Sequence, residues 1–208
     1  MIIYNIQTNG ASNQLVIEVI NDVVFVEPTE IAYVVGNLTL DAASGGFAKR
    51  VKAMLIGKRY FKPTFTGTGK IYLNATLGSY HKFTLEENEE LILTSSAFIA
   101  CRNSVTINPD ICTSIISFIS GLPMVKTVAK GHGSIMIVMP GPVIEYELKD
   151  DKFIAYGTDI AAYSKQLTVT REFAGKGWLD IAHKMVKIYR GTGKIYFCPN
   201  PNKDSKRK

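Results

Sequence analysis

Short apolar runs alternate with polar turns along the whole chain, and several of the runs return. The hexapeptide Gly-Thr-Gly-Lys-Ile-Tyr occupies residues 67–72 and again 191–196, and a looser form, Gly-His-Gly-Ser-Ile-Met, occupies 131–136. The three copies fall at near-equal intervals. Ile31-Ala32-Tyr33 precedes Leu38-Thr39-Leu40, Ile99-Ala100-Cys101 precedes Val105-Thr106-Ile107, and Ile160-Ala161-Ala162 precedes Leu167-Thr168-Val169. At one fixed distance before each alanine an apolar residue opens a strand-like run, at Leu15, Phe83 and Ile144. A polar break separates run from alanine each time: Asn21-Asp22, residues 86–90, and Lys149-Asp150-Asp151. Recurrence at a fixed period is the signature of a repeated architecture.

The repeated pieces read as strands. Lys70-Ile71-Tyr72-Leu73 and Lys194-Ile195-Tyr196-Phe197 carry β-branched and aromatic residues that suit a pleated surface, and Leu77-Gly78-Ser79 and Gly141-Pro142 supply turns. Short strands punctuated by turns predict an all-β fold: a closed sandwich or barrel of three internal repeats in pseudo-threefold arrangement, with short helical connectors. The connector at 46–57 places Phe47, Val51, Met54 and Leu55 on one helical face with Lys49 and Lys52 opposite, which predicts a short helix. Its counterparts, 111–121 (almost wholly apolar) and 178–183, predict packed loops or helical turns. The last GxG strand, 191–197, is expected to complete the N-terminal unit, closing the ring and removing open sheet edges. Gly67, Gly69, Gly131, Gly133, Gly191 and Gly193 then act as turn glycines that begin the same strand in each copy.

The triplicated pattern, above all the stretch from Gly46-Phe47-Ala48-Lys49-Arg50 through Gly67-Thr68-Gly69 to Phe98-Ile99-Ala100, resembles the altered-inheritance-of-mitochondria protein twenty-four family. The likeness covers residues 15–197 and is strongest over 45–107. It implies a fold like that of the tryptophan RNA-binding attenuation protein (TRAP-like), built from repeated β-units, with no known enzymatic activity. Members of that family occur in prokaryotes, and a fungal mitochondrial member is linked to inner-membrane organisation. The family commonly carries Gly-Glu after its basic amphipathic segment; here Gly57-Lys58, Gly121-Leu122 and Gly177-Trp178 stand there instead.

Composition refines this picture modestly. Apolar residues make up 46% and charged ones 20% of 208 residues, a balance that supports one ordinary globular core over 1–202. The net charge is +6, but the tail at 203–208 holds four of the cations and only one acid, and reads as a solvated, disordered end. The cysteines Cys101, Cys112 and Cys198 form no CxxC pair or zinc-type spacing, so they read as reduced and structural. With neither a signal-like N-terminus nor an apolar run near the ~18 residues of a membrane span, a cytoplasmic location is expected.

Catalytic and cofactor chemistry finds no foothold. Each GxG runs into a strand rather than a helix, and GxxxxGK[ST] is absent, so the glycines are not phosphate ligands. His81, His132 and His183 share no metal spacing. Glu86, Glu87, Glu89 and Glu90 lack a calcium-loop pattern and read as a solvated hairpin tip. No nucleophile–base pair is discernible, so neither enzyme, metal nor cofactor is expected. One patch stands out: Lys49, Arg50, Lys52, Lys58, Arg59 and Lys62, interleaved with Phe47, Tyr60 and Phe61. Cations on phosphates with rings on bases suit single-stranded nucleic acid; the same composition suits an anionic membrane surface. A packed segment with solvated lysines is the plainer explanation, because a basic run alone is common and unspecific. Lys126, Lys130, Lys184, Lys187 and Arg190 would extend it into a basic belt. The apolar stretch 111–124 is a candidate subunit contact. The expected function is a non-enzymatic structural or interaction protein that presents repeated β-surfaces and self-assembles as a homo-oligomer. Nucleic-acid or peripheral membrane binding through 49–62 is the alternative.

Overall fold

The structure is a computed structural model, and it describes residues 1–41, 64–94, 97–112, 124–156, 158–173 and 185–199. The basic patch at 49–62, the connector at 46–57, nearly all of 111–124, the connector at 178–183 and the tail at 203–208 lie outside those residues.

The first third comprises a hairpin of β1 (Ile2–Asn9) and β2 (Ser12–Val26), a single helical turn at Pro28–Glu30, then β3 (Ile31–Asp41) and β4 (Thr64–Leu73). The middle third comprises β5 (Ser79–Leu85), β6 (Glu90–Leu93), β7 (Phe98–Arg102), β8 (Val105–Cys112), β9 (Met124–Gly131) and β10 (Gly133–Met139). The last third comprises β11 (Ile144–Ala155), β12 (Asp159–Ser164), β13 (Thr168–Phe173) and β14 (Met185–Cys198). The turn-forming stretches Leu77-Gly78 and Gly141-Pro142 fall between strands, as their residues dictate.

Among the described residues all strand pairs are antiparallel, in two seven-stranded sheets. One runs β3-β4-β2-β7-β10-β5, with β1 also on β2; the other runs β11-β14-β12-β6-β9-β8, with β13 also on β14. In each third the GxG strand lies between two flanks: β4 between β2 and β3, β9 and β10 between β6, β8 and β5, β7, and β14 between β11 and β12–β13. The middle third is shared between the sheets. Its three long strands pass from one sheet to the other at residues 86–89, Asn103-Ser104 and His132, which is why they divide into six.

Two sequence expectations need correction. Among the described residues the sheets are open and form no closed barrel. Nor does the last strand complete the N-terminal unit, because β14 spends both its flanks on β11, β12 and β13 of its own third.

The core follows strand alternation. Side chains from both sheets meet in a central cluster that includes Phe83, Leu85, Ile135 and Ile137 from one and Leu91, Leu93, Ala161 and Tyr196 from the other. The Phe83 and Tyr196 rings stack there with centroids 4.8 Å apart. Cys101 and Cys198 are buried in the same cluster, and the Cys101 thiol donates to the Val105 carbonyl. Leu15, Ile17, Val24, Ile71 and Leu73 centre a second cluster in the first third, and Leu148, Leu167, Tyr189 and Ile195 a third in the last.

Candidate interaction surface

Four of the six recurrent glycines lie inside strands, not at their starts. Gly67 and Gly69 sit within β4, and Gly191 and Gly193 within β14; Gly131 ends β9 and Gly133 begins β10. Opposite each pair, one flanking strand bends. Val19 pairs with Gly69 but Asp22 with Gly67, and Leu148 pairs with Gly193 but Asp151 with Gly191, so extra residues bulge between. In the middle third the corresponding bend is the whole crossing at 86–89. Its apex residue in each case has positive φ: Asn21 at 46°, Asn88 at 69° and Asp150 at 53°. Asparagine and aspartate tolerate that conformation best among non-glycine residues. These are the three polar breaks of the sequence pattern.

The threonine between the glycines holds the bend. The Asn21 amide donates to Thr68 Oγ1 at 3.1 Å, and the Asp150 amide donates to Thr192 Oγ1 at 3.1 Å. On the other flank the glycines allow backbones to touch. A Cβ at Gly67 would lie 2.3 Å from the Asn37 carbonyl oxygen, and one at Gly131 equally close to that of Ser104. The motif is therefore a bend-and-contact device.

Of the suggested basic belt, Lys130, Lys187 and Arg190 have described side chains, and two of these make ion pairs. Lys130 and Lys165 both bind Glu90, at 2.8 and 2.6 Å, tying β9 and the turn after β12 to the start of β6. The hydrogen bond from Lys130, and then that from Lys165, hold the Glu90 carboxyl at about 2. Arg190 is engaged by Glu172 and the Thr170 hydroxyl. Lys187 stands apart: its partial burial, with Arg171 nearby, depresses its pKa. No group of three or more His, Cys, Asp or Glu side chains among the described residues is arranged to hold a metal ion.

What the structure exposes instead is a sheet edge. From Ile31 to Leu40 no residue is buried, and Tyr33, Val34, Val35 and Leu40 are 51%, 38%, 55% and 53% exposed. Tyr33 stacks on Tyr72 of β4 at 4.4 Å, which fixes its ring without covering it. Among the described residues β3 pairs only with β4, so its outer backbone groups are unpaired. Natural edge strands are usually guarded by charge, proline or brevity. Here β8 contains Pro109 and Asp110, β13 has Arg171 and Glu172, and β11 carries Glu145, Glu147, Lys149, Asp150, Asp151 and Lys152. Uncharged β1 is shorter, and its exposed half reads Asn5-Ile6-Gln7-Thr8-Asn9. By contrast β3 has eleven residues and no charge before Asp41. The uncharged run at 31–40 was visible in the sequence; its position at an edge was not.

Residues 4–200 match the family model described as mitochondrial biogenesis AIM24. The chain belongs to that family. The match extends the likeness seen in the repeated motifs to include β1, and the AIM24 description characterises the family, not the place where this chain works. The X-ray crystal structure of a Streptococcus pyogenes protein is similar in fold, with a TM-score of 0.71 at 20% identity, covering 96% of this chain and 94% of that one. None of the curated proteins compared matches the chain. No helix among the described residues is long and apolar enough to cross a membrane.

Proposed function

We propose that this AIM24-family chain is a non-enzymatic structural or interaction protein that self-assembles through its sheet edges. The observation that carries the reading is β3: a long edge strand, uncharged from 31 to 40, with no buried residue and four large apolar side chains in solvent. An edge of that kind is a template for another strand, and leaving it bare invites uncontrolled aggregation. Pairing it with a further copy removes the hazard and gives a building block. The Phe83–Tyr196 stack and the shared central cluster join the two sheets, which suits a rigid unit. The nucleic-acid and membrane alternatives rest on Lys49, Arg50, Lys52, Lys58, Arg59 and Lys62, which lie outside the described residues, and no observation on the described ones favours either.

The direct test is molar mass by light scattering across a concentration series. Self-assembly predicts a mass that rises above 22.9 kDa as concentration increases. A mass fixed at the single-chain value at every concentration would remove the reading.

A further inference from the structure

Among the described residues two junctions join the thirds of the chain, and they share one register. At the first, Val26 pairs with Ala100, Phe25 with Cys101 and Val24 with Arg102. At the second, Leu93 pairs with Ala162, Ile92 with Tyr163 and Leu91 with Ser164. In both, the receiving residue is fixed by the GxG strand: Ala100 lies opposite Met136 and Ala162 opposite Tyr196, each the last residue of its hexapeptide. The donating strand is fixed likewise. Val23 lies opposite Thr66, and Glu90 opposite Lys130, each of which immediately precedes the first glycine.

The same register assigns a third junction whose halves are both present and unjoined. Tyr33 lies opposite Tyr72, the last residue of the first hexapeptide, and so occupies the place of Ala100 and Ala162. Lys152 lies opposite Arg190, which immediately precedes Gly191, so Phe153, Ile154 and Ala155 occupy the places of Val24, Phe25 and Val26. Among the described residues β11 pairs only with β14, and β3 only with β4. At the two formed junctions Val24, Val26, Leu91, Leu93, Ala100 and Ala162 are all buried, whereas Tyr33, Val34 and Val35 are exposed.

We propose that β11 of one copy pairs antiparallel with β3 of a second copy, Ala155 opposite Tyr33, Ile154 opposite Val34 and Phe153 opposite Val35, so that copies associate head to tail. The inference rests on the self-assembly reading and names its surface. All six residues are uncharged, so pairing desolvates no ion, and it covers the apolar surface that β3 leaves in water. One residue on, exposed Tyr156 falls opposite Ala32. The charges of β11 lie N-terminal to the junction, where they leave residues 153–155 free to pair. A contact between two different edges is heterologous, so it propagates until it closes on itself or forms an open array.

Blocking one edge at a time tests this. Val35→Glu places a carboxylate where Phe153 would cover it, while its own-sheet neighbour Lys70 favours the variant in the free chain. Ile154→Lys blocks the other half. Each block should weaken association at least about tenfold, because a buried unpaired charge is costly. Each variant alone should then stay near 22.9 kDa, and an equimolar mixture should reach twice that mass and no more, because one good β3 and one good β11 remain. A mixture that stays monomeric while the unaltered chain associates overturns the inference and leaves self-assembly standing. Either variant assembling as the unaltered chain does also overturns it. An unaltered chain that never associates removes both. Should Ile154→Lys lose its β-sheet circular dichroism, hydrogen exchange of the unaltered chain decides: amides at 33–35 and 153–155 should slow together as concentration rises, and unchanged rates would refute the contact.

Discussion

Replacing Gly67 by alanine tests whether the repeated GxG motif exists to let backbones touch. Two costs arise. Gly67 has φ +127°, and a side chain in that region costs about 1–2 kcal/mol. The new Cβ would also sit 2.3 Å from the Asn37 carbonyl oxygen, so β3 must move away from β4 by about 1 Å to restore ordinary contact. That displacement weakens one or two ladder hydrogen bonds, each worth about 0.5–1.5 kcal/mol. The total is about 3 kcal/mol. Gly191 provides the internal control, since its φ of +115° is similar but a Cβ there meets only Leu167 Cδ2, at 3.7 Å. Gly191→Ala should therefore cost only the conformational part, about 1–2 kcal/mol. In a domain of this size 1 kcal/mol moves the melting temperature by about 2–4 °C, so the two variants should differ by several degrees. Thermal and urea unfolding of both variants make the comparison. Equal losses would refute the close-approach explanation and leave only backbone conformation to account for the motif.

Other consequences are as direct. Phe83→Ala removes one ring of the stack that bridges the sheets and should cost about 3–5 kcal/mol in urea unfolding; a loss below 1 kcal/mol would mean the central cluster does not join them. Thr68→Val deletes the acceptor for the Asn21 amide and should cost about 0.5–1.5 kcal/mol, while Thr68→Ser should keep most of it. Glu90 titrates at about 2 when folded against an ordinary value of 4.5, so its contribution is fully present above 4.5 and is lost as pH falls toward 2. Glu90→Gln should therefore flatten the decline in stability across that window, less so at high salt, and an identical acid profile in variant and parent would contradict the assignment.

Much of the fold was legible because its devices are local. The polar breaks at Asn21-Asp22, 86–90 and Lys149-Asp150-Asp151 marked the positive-φ bends, and glycine spacing marked the strands those bends oppose. The strand starts were misplaced because glycine usually punctuates strands, whereas Gly67 and Gly191 both lie mid-strand, and Gly67 there meets a neighbouring backbone that sequence does not display. Strand β1 went unread because Ile2-Ile3-Tyr4 belongs to no repeat. Ring closure was expected because the last GxG strand, 191–197, reads as completing the N-terminal unit; among the described residues it stays within its own third, and Tyr33 and Ala155 lie on separate edges. The interaction surface was hidden for the same reason. Ile31-Ala32-Tyr33 looks like its copies at Ile99 and Ile160, but Ala32 is exposed while Ala100 and Ala161 are buried, and only strand order explains the difference.

The most direct measurement is disulfide trapping of the unmade junction. Val34→Cys in one chain and Ile154→Cys in another place thiols on residues directly opposite, where cross-strand Cβ atoms lie about 4.5–5.5 Å apart. With Cys112 replaced by serine, the remaining cysteines, Cys101 and Cys198, are buried in the core. Head-to-tail pairing predicts that the oxidised mixture, and neither variant alone, gives a non-reduced band at twice 22.9 kDa. Single-chain bands alone in the mixture, or a chain carrying both substitutions that closes only upon itself, would contradict it.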